Sequence, residues 1–220
     1  MATPLVVPTK NPGEFFIPSL NKTFSQVELR EDDAYDTVEL NTGLLAKGAE
    51  FQLFQNVQNK NEQHTNMPQP RRIQSGDELT VFRIGVHPRE ARGNDMSVFT
   101  DYRKVIGNAQ LELKFNRRLI TSGPVVKYPS GYGLYGFSNE AAGAGQAAAS
   151  IGMPSMAAAP VLVVPQVLKD TDDIYMKIRF PDAAWLPVVT GGTAYTAPTL
   201  GAELLVSGFL RGLVKSPLGK

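Results

Sequence analysis

Two histidines, His64 and His87, are the side chains best suited to proton transfer or metal ligation near neutral pH. They stand in neither H-x-H nor H-E-x-x-H spacing, and no G-x-S-x-G elbow supplies a serine nucleophile. Gly131-Tyr132-Gly133-Leu134-Tyr135-Gly136 has the G-x-G-x-x-G spacing of a phosphate-cradling turn. That spacing serves a dinucleotide only between a strand and a helix. Here bulky aromatics fill it, and no carboxylate near residue 155 would hold a ribose. It reads as a flexible Gly-aromatic loop. Asp170-Thr171-Asp172-Asp173 superficially has the look of a calcium loop, but Tyr175 and Pro181 occupy the places of its Gly and Glu. A turn before a strand is the better reading. Asp32 and Asp33 read as a second acidic turn. Paired carboxylates for glycoside hydrolysis depend on a separation that spacing does not fix. Trp185 is the only tryptophan, and its neighbours Pro181, Ala183, Ala184 and Leu186 suggest packing. The expectation is no catalytic, cofactor or metal residue, and no enzyme activity.

Composition narrows the classes further. The 220 residues are 42% hydrophobic, enough for one large β-domain. A chain of this length buries most of the surface its unfolded state exposes. Without cysteine there is no disulfide, no thiolate metal site and no thiol nucleophile. Lys plus Arg number 22 against 21 Asp plus Glu, so the net charge of +1 gives no global pull toward nucleic acid. The local basic clusters, Arg71-Arg72, Arg117-Arg118 and Arg211 to Lys220, read as solvated faces or charge-protected strand edges. Met1 to Pro8 lacks the basic start and apolar run of a secretory leader. The low-polarity stretch Ala141–Val164 is broken by Gly143, Gly145, Gly152, Pro154 and Pro160, which rules out a regular membrane helix.

The elements that must position any site are strands. Ala109–Asn116 and Ile174–Phe180 alternate apolar and polar residues, which puts Leu111, Leu113 and Phe115 on one face and Glu112 and Lys114 on the other. This is a sheet with one dry and one wet face. Residues 1–22, with Pro4, Pro8, Pro12 and Pro18, read as an extended N-terminal arm. Further strands are expected at Phe24–Arg30 and Tyr35–Leu40, separated by the charged turn Glu31-Asp32-Asp33, and at Glu50–Gln55. A long Asn/Gln-rich loop, 56–74, follows. Leu79–Val86 is a strong strand that His87-Pro88 should end. Residues 88–105 read as a loop with one short helix. After Ala109–Asn116, strands follow at Leu119-Ile120, Pro124–Tyr128, Val161–Leu168, Ile174–Phe180, Trp185–Thr190 and Glu203–Val214. The last is apolar on both faces around Leu204-Leu205-Val206 and suits a central place in a sheet. Gly131–Pro160 reads as a Gly/Ala-rich insertion, a loop or a short helix over Glu140–Ser150. The fold class is all-β: an antiparallel jelly-roll or β-sandwich barrel with long loops, residues 23–220 forming one domain.

The arm, the Asn/Gln/Gly/Ala loops, Thr65–Pro70 leading into Ser75–Val86, and the closing Leu204–Gly212 together give the chain a resemblance. It resembles a jelly-roll capsid protein of a tailless, icosahedral bacteriophage with an internal lipid membrane, over about residues 23–214. The length fits a single barrel, not a double one. The resemblance implies a virion structural protein assembled in the host cytoplasm. Its partners would be copies of itself and other capsid proteins, with lipid or packaged genome at the inner face and no small-molecule substrate. Arm 1–22 and loop 131–160 would supply contacts between copies.

Two other classes compete. One is a non-catalytic binding module, such as a carbohydrate-binding sandwich or a receptor-binding spike domain, using loop 56–74 and Tyr132 and Tyr135. The other is a metal-dependent hydrolase on a jelly-roll scaffold, which needs converging histidines and a carboxylate.

Overall fold

The alternation at 174–180 and 109–116 resolves into two neighbouring strands of one sheet. The computed structural model describes residues 7–10, 14–18, 21–25, 29–40, 43–44, 48–90, 105–131, 135–139, 146–150, 159–180, 199–200 and 204–216. In chain order the strands are β1 (Val7–Pro8), β2 (Glu14–Ile17), β3 (Lys22–Ser25), β4 (Leu29–Leu40), β5 (Gly43–Leu44), β6 (Glu50–Leu53), β7 (Glu78–Glu90) and β8 (Gln110–Phe115). They continue with β9 (Arg118–Pro124), β10 (Tyr135–Asn139), β11 (Gln146–Ser150), β12 (Val161–Lys169), β13 (Ile174–Arg179), β14 (Thr199–Leu200) and β15 (Leu204–Lys215).

Two four-stranded antiparallel sheets form the body, in the orders β12-β7-β15-β4 and β6-β13-β8-β9. Their inward faces share one apolar core. Leu79, Val81, Ile84, Val86, Leu204, Val206 and Leu210 come from the first sheet, and Leu53, Leu111, Leu113, Met176 and Ile178 from the second. The protein is therefore an all-β antiparallel sandwich. β4 touches β6, so β12 of the first sheet lies on the same flank as β9 of the second. Smaller pairings flank the body. β1-β2-β3 is a three-stranded meander, so the proline-rich arm folds back on itself where it is described. β10 pairs with β11, and β14 with β5.

β15 is central, as its two apolar faces suggest, and it pairs over its whole length with both β4 and β7. β7 contains the one irregularity that sets the core. Its partner positions step from Arg83 opposite Arg211 to Val81 opposite Gly212, leaving Phe82 as an extra residue. A bulge of this kind reverses which side chains face inward. Leu79 and Val81 therefore join Ile84 and Val86 in the core, although their numbers differ in parity. On the other side of β7, β12 also shifts, from Val161 opposite Arg83 to Gln166 opposite Val81.

Several expectations are corrected. Glu31-Asp32-Asp33 is no turn: it lies within the 12-residue β4, opposite Leu213, Gly212 and Arg211. Arg211 Nε and Nη2 reach the two Asp33 oxygens at 2.7 and 2.5 Å, a forked pairing that lets an acidic run stay in a strand. His87-Pro88 does not end β7, because both residues remain opposite β15. The Val86 N–H points outward to Tyr128 O at 2.8 Å. By the same alternation the missing Pro88 N–H falls on that outer side, where no β15 bond is lost. Pro124–Tyr128 is a strand end followed by a 3-10 turn, Val125–Lys127, closed by Tyr128 N–H to Val125 O at 2.9 Å. Residues 146–150 are strand, not helix. Of the region 88–105, residues 91–104 lie outside the described residues, as does the expected strand Trp185–Thr190; 105–108 form one helical turn.

Glycine is required where strands approach most closely. A Cβ on Gly212 would sit 1.9 Å from Thr80 O, a backbone atom fixed by the bulge. Gly212→Ala is expected to cost about 3 kcal/mol or more of stability, measured by denaturant unfolding. A change below about 0.5 kcal/mol would show that the bulge does not hold the strands this close.

Candidate functional site

The outward face of the β6-β13-β8-β9 sheet collects the polar half of the alternating strands. Register places Lys177 between Glu112 and Gln52, and Tyr175 opposite Lys114. Glu112 receives Lys114 Nζ at 2.7 Å and lies 3.6 Å from Lys177 Nζ, which is also 3.0 Å from Glu50. The hydrogen bond from Lys114 and the Lys177 charge hold the Glu112 carboxyl below its ordinary pKa, against an opposing effect of partial burial. Beside this ladder lies a half-open cleft of about 350 Å³, lined by Gln52, Arg71, Glu112, Lys114, Arg117 and Tyr175 among others. The Arg71 guanidinium lies 4.4 Å from the centre of the Tyr175 ring, a cation–π stack that fixes the side chain.

Arg71 is held by its backbone as well. Its φ is 64°, a left-handed conformation that is costly for a residue with a Cβ. Arg71 N–H donates to Phe54 O at 2.6 Å, and Arg71 O accepts from Ile174 N–H at 2.8 Å. Phe54 is also left-handed, with φ 64°, and its N–H donates to Asp36 Oδ2 at 2.6 Å. Asp36 is fully buried in β4 and is neutralised by Lys60 Nζ, 2.8 and 2.9 Å from its two oxygens. Loop 56–74 is thus anchored at Lys60 and Arg71.

The acidic turn before β13 works as a clasp. Asp170 Oδ2 accepts from Gly76 N–H at 2.8 Å and Ser75 Oγ at 3.3 Å. Asp172 accepts from Asn116 Nδ2 and from Lys169 N–H, and Asp173 pairs with Arg72 at 3.3 Å. The expected turn before a strand is there, and its carboxylates face protein donors.

The other sequence candidates do not converge. His64 lies in the loop, with its backbone N–H donating to Asn61 O, while His87 Nδ1 in β7 is 3.0 Å from Ser130 Oγ. Among the described residues no group of three or more His, Asp or Glu is placed to hold a metal ion. The Gly131–Gly136 run leads into strand β10 and not into a helix. Tyr132 and Trp185 lie outside the described residues. Of the basic clusters, Arg71 and Arg117 reach the cleft, whereas Arg72 and Arg211 are occupied by Asp173 and Asp33. The cleft was not legible beforehand: its residues sit on separate segments joined only by strand register.

A second surface lies on the flank shared by β12 and β9. The exposed large apolar side chains of the described residues all belong to it: Val161, Val163 and Val164 in β12, Leu119 in β9 and Val126 just after it. Val163 is 98% exposed and Val164 64%, both in the stretch where β12 departs from its β7 register. Among the described residues no strand pairs with the outer side of β12, so this is an apolar border of the sandwich.

Comparison of the chain with protein-family models and with curated proteins finds no match.

The Gly76 N–H holds the Asp170 carboxyl below its ordinary pKa, with partial desolvation opposing and Ser75 adding to it. A lowered carboxylate pKa stabilises the fold above the unfolded-state value, and that stability is lost as pH falls through the folded value. The wild type should therefore melt above Asp170→Asn at pH 7, with the gap closing below about pH 4. Thermal melts across pH check this; a gap that stays constant down to acid pH would contradict it.

Proposed function

We propose that the chain is a single jelly-roll capsid subunit, a virion structural protein that assembles with copies of itself into an icosahedral shell. The observation that carries the reading is the nesting of the strand pairs. β4 pairs with β15, β6 with β13, β7 with β12, and β8 with β9. One long antiparallel hairpin, rolled up into two sheets, yields this order. This order supports a jelly-roll reading, a scaffold used by viral capsid domains, lectins and cupins.

Between those uses, the surface favours assembly. Among the described residues the β12–β9 flank offers an edge without a partner strand and five exposed apolar side chains, suited to burial against a neighbouring copy. The carboxylates of the turn before β13 and of Asp33 in β4 are engaged by protein donors and cations, which supports a structural role for them. The alternative is a non-catalytic binding module of the lectin kind, favoured by the cleft over Tyr175.

Sedimentation velocity of the wild type and of a Val163→Asp, Val164→Asp double variant tests the proposal. The wild type should sediment as large assemblies. The variant should sediment as single chains with an unchanged circular dichroism spectrum, because both positions lie outside the core. A variant that assembles like the wild type, or a wild type that never assembles, would overturn it.

A further inference from the structure

We propose that the cleft over Tyr175 is a binding site for a small phosphate monoester. The site is distinct from the β12–β9 flank and does not depend on the capsid reading. Four cations, Arg71, Lys114, Arg117 and Lys177, line the cleft against one carboxylate, Glu112. Lys114 is held by Glu112 at 2.7 Å, and Lys177 by Glu50 at 3.0 Å with Glu112 3.6 Å away. Arg71 and Arg117 have no carboxylate partner among the described residues, so two guanidinium groups remain for a ligand.

The geometry of Arg71 is that of a built donor. Its backbone is pinned at a left-handed φ by hydrogen bonds to Phe54 and Ile174, and its guanidinium is laid over an aromatic ring. A guanidinium seated over a ring keeps its N–H donors along its own edge. That edge matches two oxygens of a phosphate or carboxylate. A cleft held this way loses little side-chain freedom when it binds.

Charge and size choose among anions. An excess of cations over one carboxylate suits a dianion better than a single carboxylate. A volume of about 350 Å³ fits a compact molecule such as a sugar phosphate. A nucleic-acid strand would need a track of free cations leading out of the cleft. The neighbouring Arg72 is instead paired with Asp173. Gln52 adds a side-chain amide to the lining, suited to a hydroxyl of a polar ligand.

Isothermal titration with glucose 6-phosphate, and separately with inorganic phosphate, tests the site. Glucose and sodium chloride at matched ionic strength are the controls. Saturable binding of glucose 6-phosphate, absent for glucose, is expected. Arg71→Gly removes the guanidinium while easing the left-handed backbone, so it should fold and weaken binding at least tenfold. Glu112→Gln should tighten binding by removing the opposing charge and releasing Lys114, while Lys177 keeps its pairing with Glu50. Arg118→Ser, on exposed β9 outside the cleft, should leave it unchanged. No saturable binding, an unaltered Arg71→Gly, or equal loss in Arg118→Ser would overturn the proposal. So would binding of a single-stranded DNA lacking a terminal phosphate in the absence of any monoester binding.

Discussion

Three hydrogen bonds in series tie the two sheets to the long loop, and the carboxylate that starts the series is buried in the core. Asp36 takes the Phe54 N–H, Phe54 O takes the Arg71 N–H, and Arg71 O takes the Ile174 N–H. The relay runs from β4 in one sheet, through the end of β6 and the loop, to the start of β13 in the other. An unpaired buried carboxylate would be costly, and Lys60 from the same loop neutralises it. Two left-handed residues, Phe54 and Arg71, are held in place by this relay. Their strain persists because the bonds on either side leave the backbone no alternative. The cleft over Tyr175 inherits its shape from the same bonds.

Packing between the sheets follows from close contact near that carboxylate. Gly208 lies opposite Asp36, and a Cβ there would fall 2.7 Å from Met176 Sδ and 2.9 Å from Leu53 Cδ1. Met176 and Leu53 fill the space a side chain would take. The Phe82 bulge then keeps every inward position of β7 opposite an inward position of β15. On the other side of β7 the shifted register lifts Val163 and Val164 out of the sheet. Core and apolar flank are therefore two results of irregularities at one level of the same strand.

Local patterns were legible where one face of a strand is wet. The alternation in 109–116 and 174–180 identified β8 and β13 with their buried and exposed faces. The two-sided apolar character of 204–206 indicated the central place of β15. What escaped the sequence depended on partners far along the chain. Glu31-Asp32-Asp33 has turn-like composition, and only Arg211, 178 residues away, makes it a strand. Pro88 reads as a terminator unless its outward direction is known. Phe82 looks like one more apolar residue in a run, since a bulge leaves no local mark there. The cleft was hidden for the same reason, because Arg71, Arg117 and Tyr175 meet only through register. The basic dipeptide Arg71-Arg72 stands out in the sequence, but nothing local separates Arg71 from Arg72.

The central claim is that the apolar flank of a rolled-up hairpin joins one copy to the next until a shell closes. Electron micrographs of the purified, concentrated protein test it most directly. The account predicts closed particles of uniform diameter, many chains each. A field of isolated 23.9 kDa molecules at every concentration and salt condition would contradict it.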